Sequence, residues 1–386
     1  MKILFVSHDA SRTGAPILLL NLVRWLTANK KAQALVLAVD GGELLETFRE
    51  TGECLLWNVP LERSGVADRI YHKIWGTNNR IRHRQKVLER ILRFNPDLIY
   101  YSSVGTCRMV PIFAEKIPGA RTVLHVHELE TIIRQYNDEE CIENAKTWID
   151  HYIAASELVK TNLVTTHRIA PERIHRVYEY IDVRQWDPGP AYDRVPPDRF
   201  IIGSAGNVHW RKGFEFFILL AAELQRRGIR DYECRWAGRI DEEHRAIVEE
   251  DLRKLDLGEH VKFPGPSAEM HRFYRQLDVF VITSREDPYP VVALEAALFR
   301  LPILCWNRGT GTLEFVERGG GVPVDYLDVR AMADAVLDLK ENPEKRDRIG
   351  ERAYQLALEH DINKAGEKIY EILENITGSG LEANIT

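Results

Sequence analysis

Two runs of short apolar strands alternating with helical stretches constrain this chain more than any other feature. The first run opens with "KILFVSH" (2–8), an apolar stretch of strand length, followed by the polar loop "DASRTGAP". "ILLLNLVRWLTAN" (17–29) then reads as a helix with Pro16 near its first turn, where a missing N–H costs nothing. The rhythm continues through "QALVLAVD", "ELLETFRE", "ECLLWNVP", "LIYYSSV", "TVLHVHE" and "HYIAAS". Strands that are apolar throughout are covered on both faces, and the intervening helices supply the cover. The pattern therefore implies a parallel α/β sheet.

The stretch "DPGPAYDRVPPDR" (187–199) interrupts it. Four prolines and a glycine can continue neither element, so the segment reads as a linker. Beyond it the rhythm restarts with "FIIGSAG", "FEFFILLAAELQRRG", "YECRWAG", "HRAIVEEDLRKLDLG", "VKFPG", "DVFVITS", "PILCWN" and "GVPVD". A chain of 386 residues suits two domains, each with its own core. The expected division is 1–190 and 198–358, both Rossmann-like, then a helix over 359–376 packing back on the first domain, and a loose, small and polar tail over 377–386. No short-period repeat or low-complexity block occurs.

Composition narrows the classes. A net charge of -6 gives no overall pull toward nucleic acid. Cys54, Cys107, Cys141, Cys234 and Cys305 are scattered, with no CxxC and no histidine at metal spacing, which fits buried reduced thiols and argues against a disulfide framework. No metal site is expected. "MKILFVSHD" carries too short an apolar run for a signal peptide, and no stretch approaches a membrane span, so a cytoplasmic protein is expected. One local bias stands out. Between Leu61 and Phe94 lie Arg63, Arg69, Lys73, Arg80, Arg82, Arg84, Lys86, Arg90 and Arg93, with Ile70, Tyr71, Ile74 and Trp75 among the first of them. The plain reading is a solvated helix face. The sharper one is a patch facing an anionic acceptor or anionic lipid at the inner membrane surface.

The chemistry gathers in the second half. There is no Walker motif, GxGxxG, GxSxG or HExxH, and "GSAG" (203–206) lacks the third glycine and downstream acid of a dinucleotide site. In "GNVHWRKGFEFF" (206–217), Arg211 and Lys212 occupy a loop between a strand and a helix, a place that aims cations and free amides at an anion. "SREDPYPVVALEAALFRLP" (284–302) follows the buried strand "LDVFVITS" and begins a helix near Pro290, whose first N–H groups are orphaned. Loops at the carboxyl ends of strands in one sheet converge on one crevice. Cations and helix-start amides suit a diphosphate, and Asp287 and Glu295 beside them suit hydroxyl groups. The ligand with both is a nucleotide-sugar.

These residues resemble the retaining glycosyltransferases of family 4, whose signature is an acid, seven residues and a glutamate; here it is "DPYPVVALE" followed by "AALFRLP". The resemblance extends through "TGAP" (13–16), "HVHE" (125–128), "RKG" (211–213), "AGR" (237–239), "VKFPG" (261–265) and "GTGTLEFV" (309–316). It implies the GT-B fold, an α/β architecture of two Rossmann-like domains facing each other across a cleft. It also implies transfer of a sugar from a nucleoside diphosphate sugar to a hydroxyl acceptor with retained configuration, without a cofactor or a metal. By the same resemblance, Lys212 and Arg211 neutralise the donor diphosphate, the amides of Val291 and Val292 hold its distal phosphate, and Gly14 and Ala15 let backbone approach it. Glu295 binds ribose; Asp287 or Glu286 binds the donor sugar, with His127 approaching from the first domain. Arg239, Phe263 and Pro264 line the base. The chain departs from the family in having Asp287 where glutamate is commoner, and Asn207 where an arginine is frequent. His125 competes with His127, which is favoured because it ends its strand. A GT-B epimerase, a pyridoxal-phosphate phosphorylase and a non-catalytic nucleotide-sugar sensor are the rival readings. The first releases product without acceptor, the second absorbs through its cofactor, and the third turns nothing over.

Overall fold

The computed structural model describes residues 1–58, 66–136, 141–189, 199–267 and 269–382. The chain divides into two compact units, Met1–Tyr178 with Ile362–Thr386, and Glu179–Asp361. The proline-rich stretch that reads as a linker lies largely outside the described residues.

The first unit is built on seven parallel strands: β1 (Lys2–Ser7), β2 (Gln33–Ala38), β3 (Glu53–Leu56), β4 (Leu98–Ser102), β5 (Arg121–Val126), β6 (His151–Ala154) and β7 (Ile174–Arg176), ordered β3-β2-β1-β4-β5-β6-β7. β4 is buried at every residue, as a central strand between helical layers must be. Ile3, Leu4, Phe5 and Val6 are wholly inaccessible. The sheet reverses direction of growth between β1 and β4, the position where open α/β sheets form a crevice.

The second unit repeats the plan with six parallel strands: β8 (Phe200–Ala205), β9 (Tyr232–Ala237), β10 (Val261–Gly265), β11 (Val279–Ile282), β12 (Ile303–Trp306) and β13 (Gly321–Val324), ordered β10-β9-β8-β11-β12-β13. Its core gathers Phe217, Leu220, Trp236, Val281, Leu304 and Trp306. Here the reversal falls between β8 and β11, so the loops at 206–213 and 283–290 emerge side by side.

Three details differ from the sequence pattern. The opening helix spans Gly14–Lys30, so Gly14 and Ala15 belong to its first turn and Pro16 is its third residue. β7 has no counterpart among the apolar runs because it is three residues long with a histidine at its centre. The last helix spans Ile362–Glu382 and continues through the segment whose small polar composition suggests a loose tail. Ile372, Leu373 and Ile376 keep it packed, and the Thr377 hydroxyl donates to the Leu373 carbonyl at 2.9 Å. This helix lies on the opening helix of the first unit, with Trp25 Nε1 donating to Asn363 Oδ1 at 2.9 Å and Lys30 paired with Glu367 at 2.6 Å.

The helix Val66–Phe94 carries the basic segment. Arg63 and the side chains of Arg69, Ile70, Tyr71, Lys73, Ile74 and Trp75 lie outside the described residues. Of the remainder, Arg80, Arg82, Arg84, Lys86 and Arg93 are exposed together with Ile81 and Leu92. Arg90 is instead held by Glu53. Among the described residues, no helix is long and apolar enough to cross a membrane.

Candidate functional site

The adjacent loops after β8 and β11 are bound into one body. The amide of Arg285 donates to the Arg211 carbonyl at 2.8 Å, Arg285 Nη1 to the Trp210 carbonyl at 2.7 Å, and Arg211 Nη1 to the Glu286 carbonyl at 2.8 Å. Gly213 makes this approach feasible. Its φ is +68°, and a Cβ there would stand 1.9 Å from the Thr283 carbonyl oxygen. A third loop, after β12, closes the other side: the Asp287 amide donates to the Gly309 carbonyl at 2.7 Å, and the Gly311 amide to the Asp287 carbonyl at 3.0 Å.

An ion cluster sits at the junction. Lys212 Nζ lies 2.5 Å from Asp287 Oδ2, which also accepts from the Ser284 hydroxyl at 3.0 Å. Arg211 Nη1 is 3.4 Å from Asp287 Oδ1. The Asp287 side chain is only 5% exposed, and the two cations about a fifth. Burial works to raise the Asp287 carboxyl, but the charges of Lys212 and Arg211 and the hydrogen bonds from Lys212 and Ser284 overcome it and hold it below the ordinary value. Burial, with the charge of Arg211 beside it, lowers Lys212 in spite of the opposing pull of Asp287. Two cations against one carboxylate leave this pocket of the loops with positive charge to spare.

The helix Val291–Leu298 begins beside the cluster. Pro290 is its cap, and among the described residues no side-chain cap reaches its first amides. Val291 and Val292 therefore present N–H groups at the positive end of the helix. One turn further on, Glu295 Oε2 accepts from the Tyr274 hydroxyl at 2.7 Å. Burial pushes the Glu295 carboxyl up to about 7, against the pull of that hydrogen bond. Glu286, the neighbour of Asp287, keeps a partly exposed side chain.

Arg239, Phe263 and Pro264 gather at the carboxyl edge on the β9–β10 side. Arg239 and Pro264 are exposed, and Phe263 lies against Trp236 at 6.3 Å between ring centroids. Their loops are joined to the loop after β8: Val208 donates to the Arg239 carbonyl at 2.8 Å, and Trp236 Nε1 to the Gly206 carbonyl at 2.7 Å. Asn207, exposed, meets the Arg239 amide at 3.4 Å.

His127, Gly14 and Ala15 belong to the first unit. β5 ends at Val126, so His127 stands just past the strand rather than on it. Its amide donates to Glu128 Oε2 at 3.0 Å, and its ring lies 3.9 Å from that of His125. His125 is fully buried, with Nδ1 2.6 Å from the Tyr100 hydroxyl, and burial followed by the neighbouring His127 holds it well below the usual imidazole value. Gly14 has open space where a Cβ would project, and Thr13 places no side-chain hydrogen bond on the helix start.

Sequence reasoning did not find Ser284, Tyr274 or the Gly309–Gly311 loop as partners of the acids. Ser284 was discoverable, standing three residues before Asp287 in one turn. Tyr274 was not, because it reaches Glu295 from a separate helix.

Residues 192–356 match the family model for glycosyl transferases group 1, and residues 12–185 that for glycosyltransferase family 4. The chain is a GT-B glycosyltransferase. The enzyme is 25% identical to the alpha-D-kanosaminyltransferase of Streptomyces kanamyceticus over 327 residues, 78% of this chain and 81% of that protein. It is 25% identical to D-inositol 3-phosphate glycosyltransferase 1 of Catenulispora acidiphila over 247 residues, 60% of this chain and 58% of that one. HepE of Anabaena, solved in complex with UDP and glucose, shares the fold with a TM-score of 0.79 at 20% identity, covering 97% of this chain and all (100%) of that one.

Proposed function

We propose that this glycosyltransferase takes its sugar from a nucleoside diphosphate sugar and passes it to a hydroxyl with retention of anomeric configuration. The observation that carries the reading is the pair Lys212 and Arg211 set against one carboxylate beside a helix start without a side-chain cap among the described residues. A diphosphate answers both features, taking the surplus positive charge and the amides of Val291 and Val292. Glu295 reaches the ribose hydroxyls, and Asp287, already fixed by Ser284, faces the sugar. The solved complex of HepE with UDP and glucose supports the same ligand class.

The chemistry then follows from charge. As the glycosidic bond to the donor breaks, negative charge grows on the leaving diphosphate. Lys212 and the helix-start amides, held in place beforehand, stabilise that charge without reorganising. A phosphate oxygen of the leaving group accepts the acceptor's proton, so the route calls for no separate base and no metal, and a chelator leaves turnover unchanged. The acceptor is read from the exposed basic face at Arg80, Arg82, Arg84, Lys86 and Arg93, with Ile81 half exposed at 50%. That face suits an anionic acceptor or one presented at an anionic lipid surface.

A thermal-shift panel of nucleoside diphosphates and their sugars tests the donor. A ligand that binds the folded form raises the melting temperature, by about 2.7 kcal/mol of stabilisation at a hundred times its Kd. One base should stand out from the others. No shift with any nucleotide at millimolar concentration would refute the reading, and an inverted anomeric proton in the product would refute retention.

A further inference from the structure

The turn that carries Asp287 is anchored at a second point, away from the ion cluster. Tyr289, two residues on, is 4% exposed, and its hydroxyl lies 3.2 Å from His360 Nε2. The two rings stack, 5.3 Å between centroids at 25°. His360 Nδ1 in turn lies 3.1 Å from the carbonyl oxygen of Glu179. A carbonyl can only accept, so Nδ1 donates and Nε2 is left to accept from the Tyr289 hydroxyl.

His360 and Glu179 mark the places where the chain passes from one unit to the other, at 178/179 and 361/362. The two passing segments are stitched together. Ile181 pairs with Asp361 in a parallel bridge, its amide donates to the His360 carbonyl at 3.0 Å, and the Val183 amide donates to Asp361 Oδ2 at 3.1 Å. The short helix that follows, Val183–Trp186, rests on the helix Val291–Leu298, and Trp186 lies edge-on to Tyr274, the partner of Glu295. The site turn and its helix thus touch the paired segments twice, through His360 and through the helix Val183–Trp186.

We propose that Tyr289 and His360 are positioning residues which seat the turn Glu286–Pro290 on the paired crossing segments, and so fix where Asp287 and the amides of Val291 and Val292 stand. Neither residue touches the donor; they act through Asp287 and the helix start. The catalytic part of this inference rests on the donor reading above, while the placement of the turn does not.

Hydrogen exchange, with donor binding alongside, tests it on Tyr289→Phe, His360→Ala and the double variant. Tyr289→Phe keeps the packed ring and removes only the hydroxyl. Loss of one ordinary hydrogen bond is worth about fivefold in an opening equilibrium. Exchange at the Asp287, Gly311 and Ala293 amides, each bonded to a carbonyl of the turn or of the loop beside it, should therefore quicken about fivefold, with amides of β8 and β9 unchanged. The double variant should match His360→Ala, because one bond cannot be lost twice. If the alanine variant does not fold, Tyr289→Phe decides alone. Unchanged exchange at those three amides overturns the proposal, as does additive behaviour of the two substitutions. Binding separates the two readings. If no nucleotide binds the unaltered enzyme, the donor reading falls while exchange still decides this one. If a donor binds, exchange again decides, because a fivefold rise in a sparsely populated opening leaves the Kd nearly unaltered.

Discussion

A lysine that faces both a buried carboxylate and a proposed diphosphate is a difficult residue to replace. Lys212→Ala should cut turnover about a hundredfold or more, the order seen when a charge-stabilising donor is lost. The same change leaves Asp287 to Arg211 and Ser284 alone, and removing one partner of a buried pair is costly in itself. Adding Asp287→Asn should restore the melting temperature of the lysine variant without restoring turnover; recovery of both would mean that the lysine is structural. Glu295 gives a second test. Its folded-state carboxyl titrates near 7, above the ordinary 4.5 of an unfolded chain, so the folded protein holds a proton that the unfolded chain releases. Stability is therefore lost as pH rises from about 4.5 to about 7, with no further loss above. Glu295→Gln removes the titration while its oxygen still accepts from Tyr274. Melting curves should show the variant gaining on the parent at pH 8 and matching it near pH 4.5; a difference independent of pH would contradict the assigned shift. Ribose hydroxyls donate best to the ionised form, so donor affinity should rise through the same window. The sequence made Lys212, Asp287 and Glu295 legible because each stands in a motif whose spacing is local. It could not show that Lys212 and Asp287 grip one another, since that contact joins residues 75 positions apart.

At the scale of elements, legibility followed length and apolarity. Runs such as "DVFVITS" and "LIYYSSV" declare buried parallel strands, whereas β7 is too short and polar to announce itself. The helix start at Gly14 was hidden because glycine and proline both suggest a loop, although the orphaned first-turn amides make them tolerable there. The join between the loops after β8 and β11 depends on one backbone conformation. Gly213→Ala must carry a left-handed residue, at a cost of about 1–2 kcal/mol, and also displace the Thr283 carbonyl. The melting temperature of the second unit should drop by about 5 °C or more. Calorimetry that found it unmoved would mean the loops are joined less tightly than described.

For the whole molecule, the exposed basic face on the helix Val66–Phe94 makes a prediction about surfaces. Binding to anionic vesicles should weaken steeply between low and physiological salt, because exposed charges are screened within about 8–10 Å. Equal binding to neutral vesicles would remove the lipid-surface reading of that face. The two-unit plan itself could be read from the repeated α/β rhythm. The second crossing, at Asp361, lies close to the expected helix over 359–376; the first, at Glu179, precedes the expected boundary at 190 because that stretch has no compositional break.

The last helix, Ile362–Glu382, has a consequence for how such a molecule comes to be made. Because it packs beside the opening helix, the first core is interrupted by the second along the chain, and a ribosome must finish everything between them before that core can close. Ile362, Ile369, Ile372, Leu373 and Ile376 are the side chains that arrive late. At roughly 1.5–3 kcal/mol for each one buried, they rival the entire net stability of a typical domain. A fragment of residues 179–361 should then melt cooperatively by itself, whereas one of residues 1–178 should stay loosely folded until a peptide spanning 362–386 is supplied. The early half of this enzyme is born waiting for its own end.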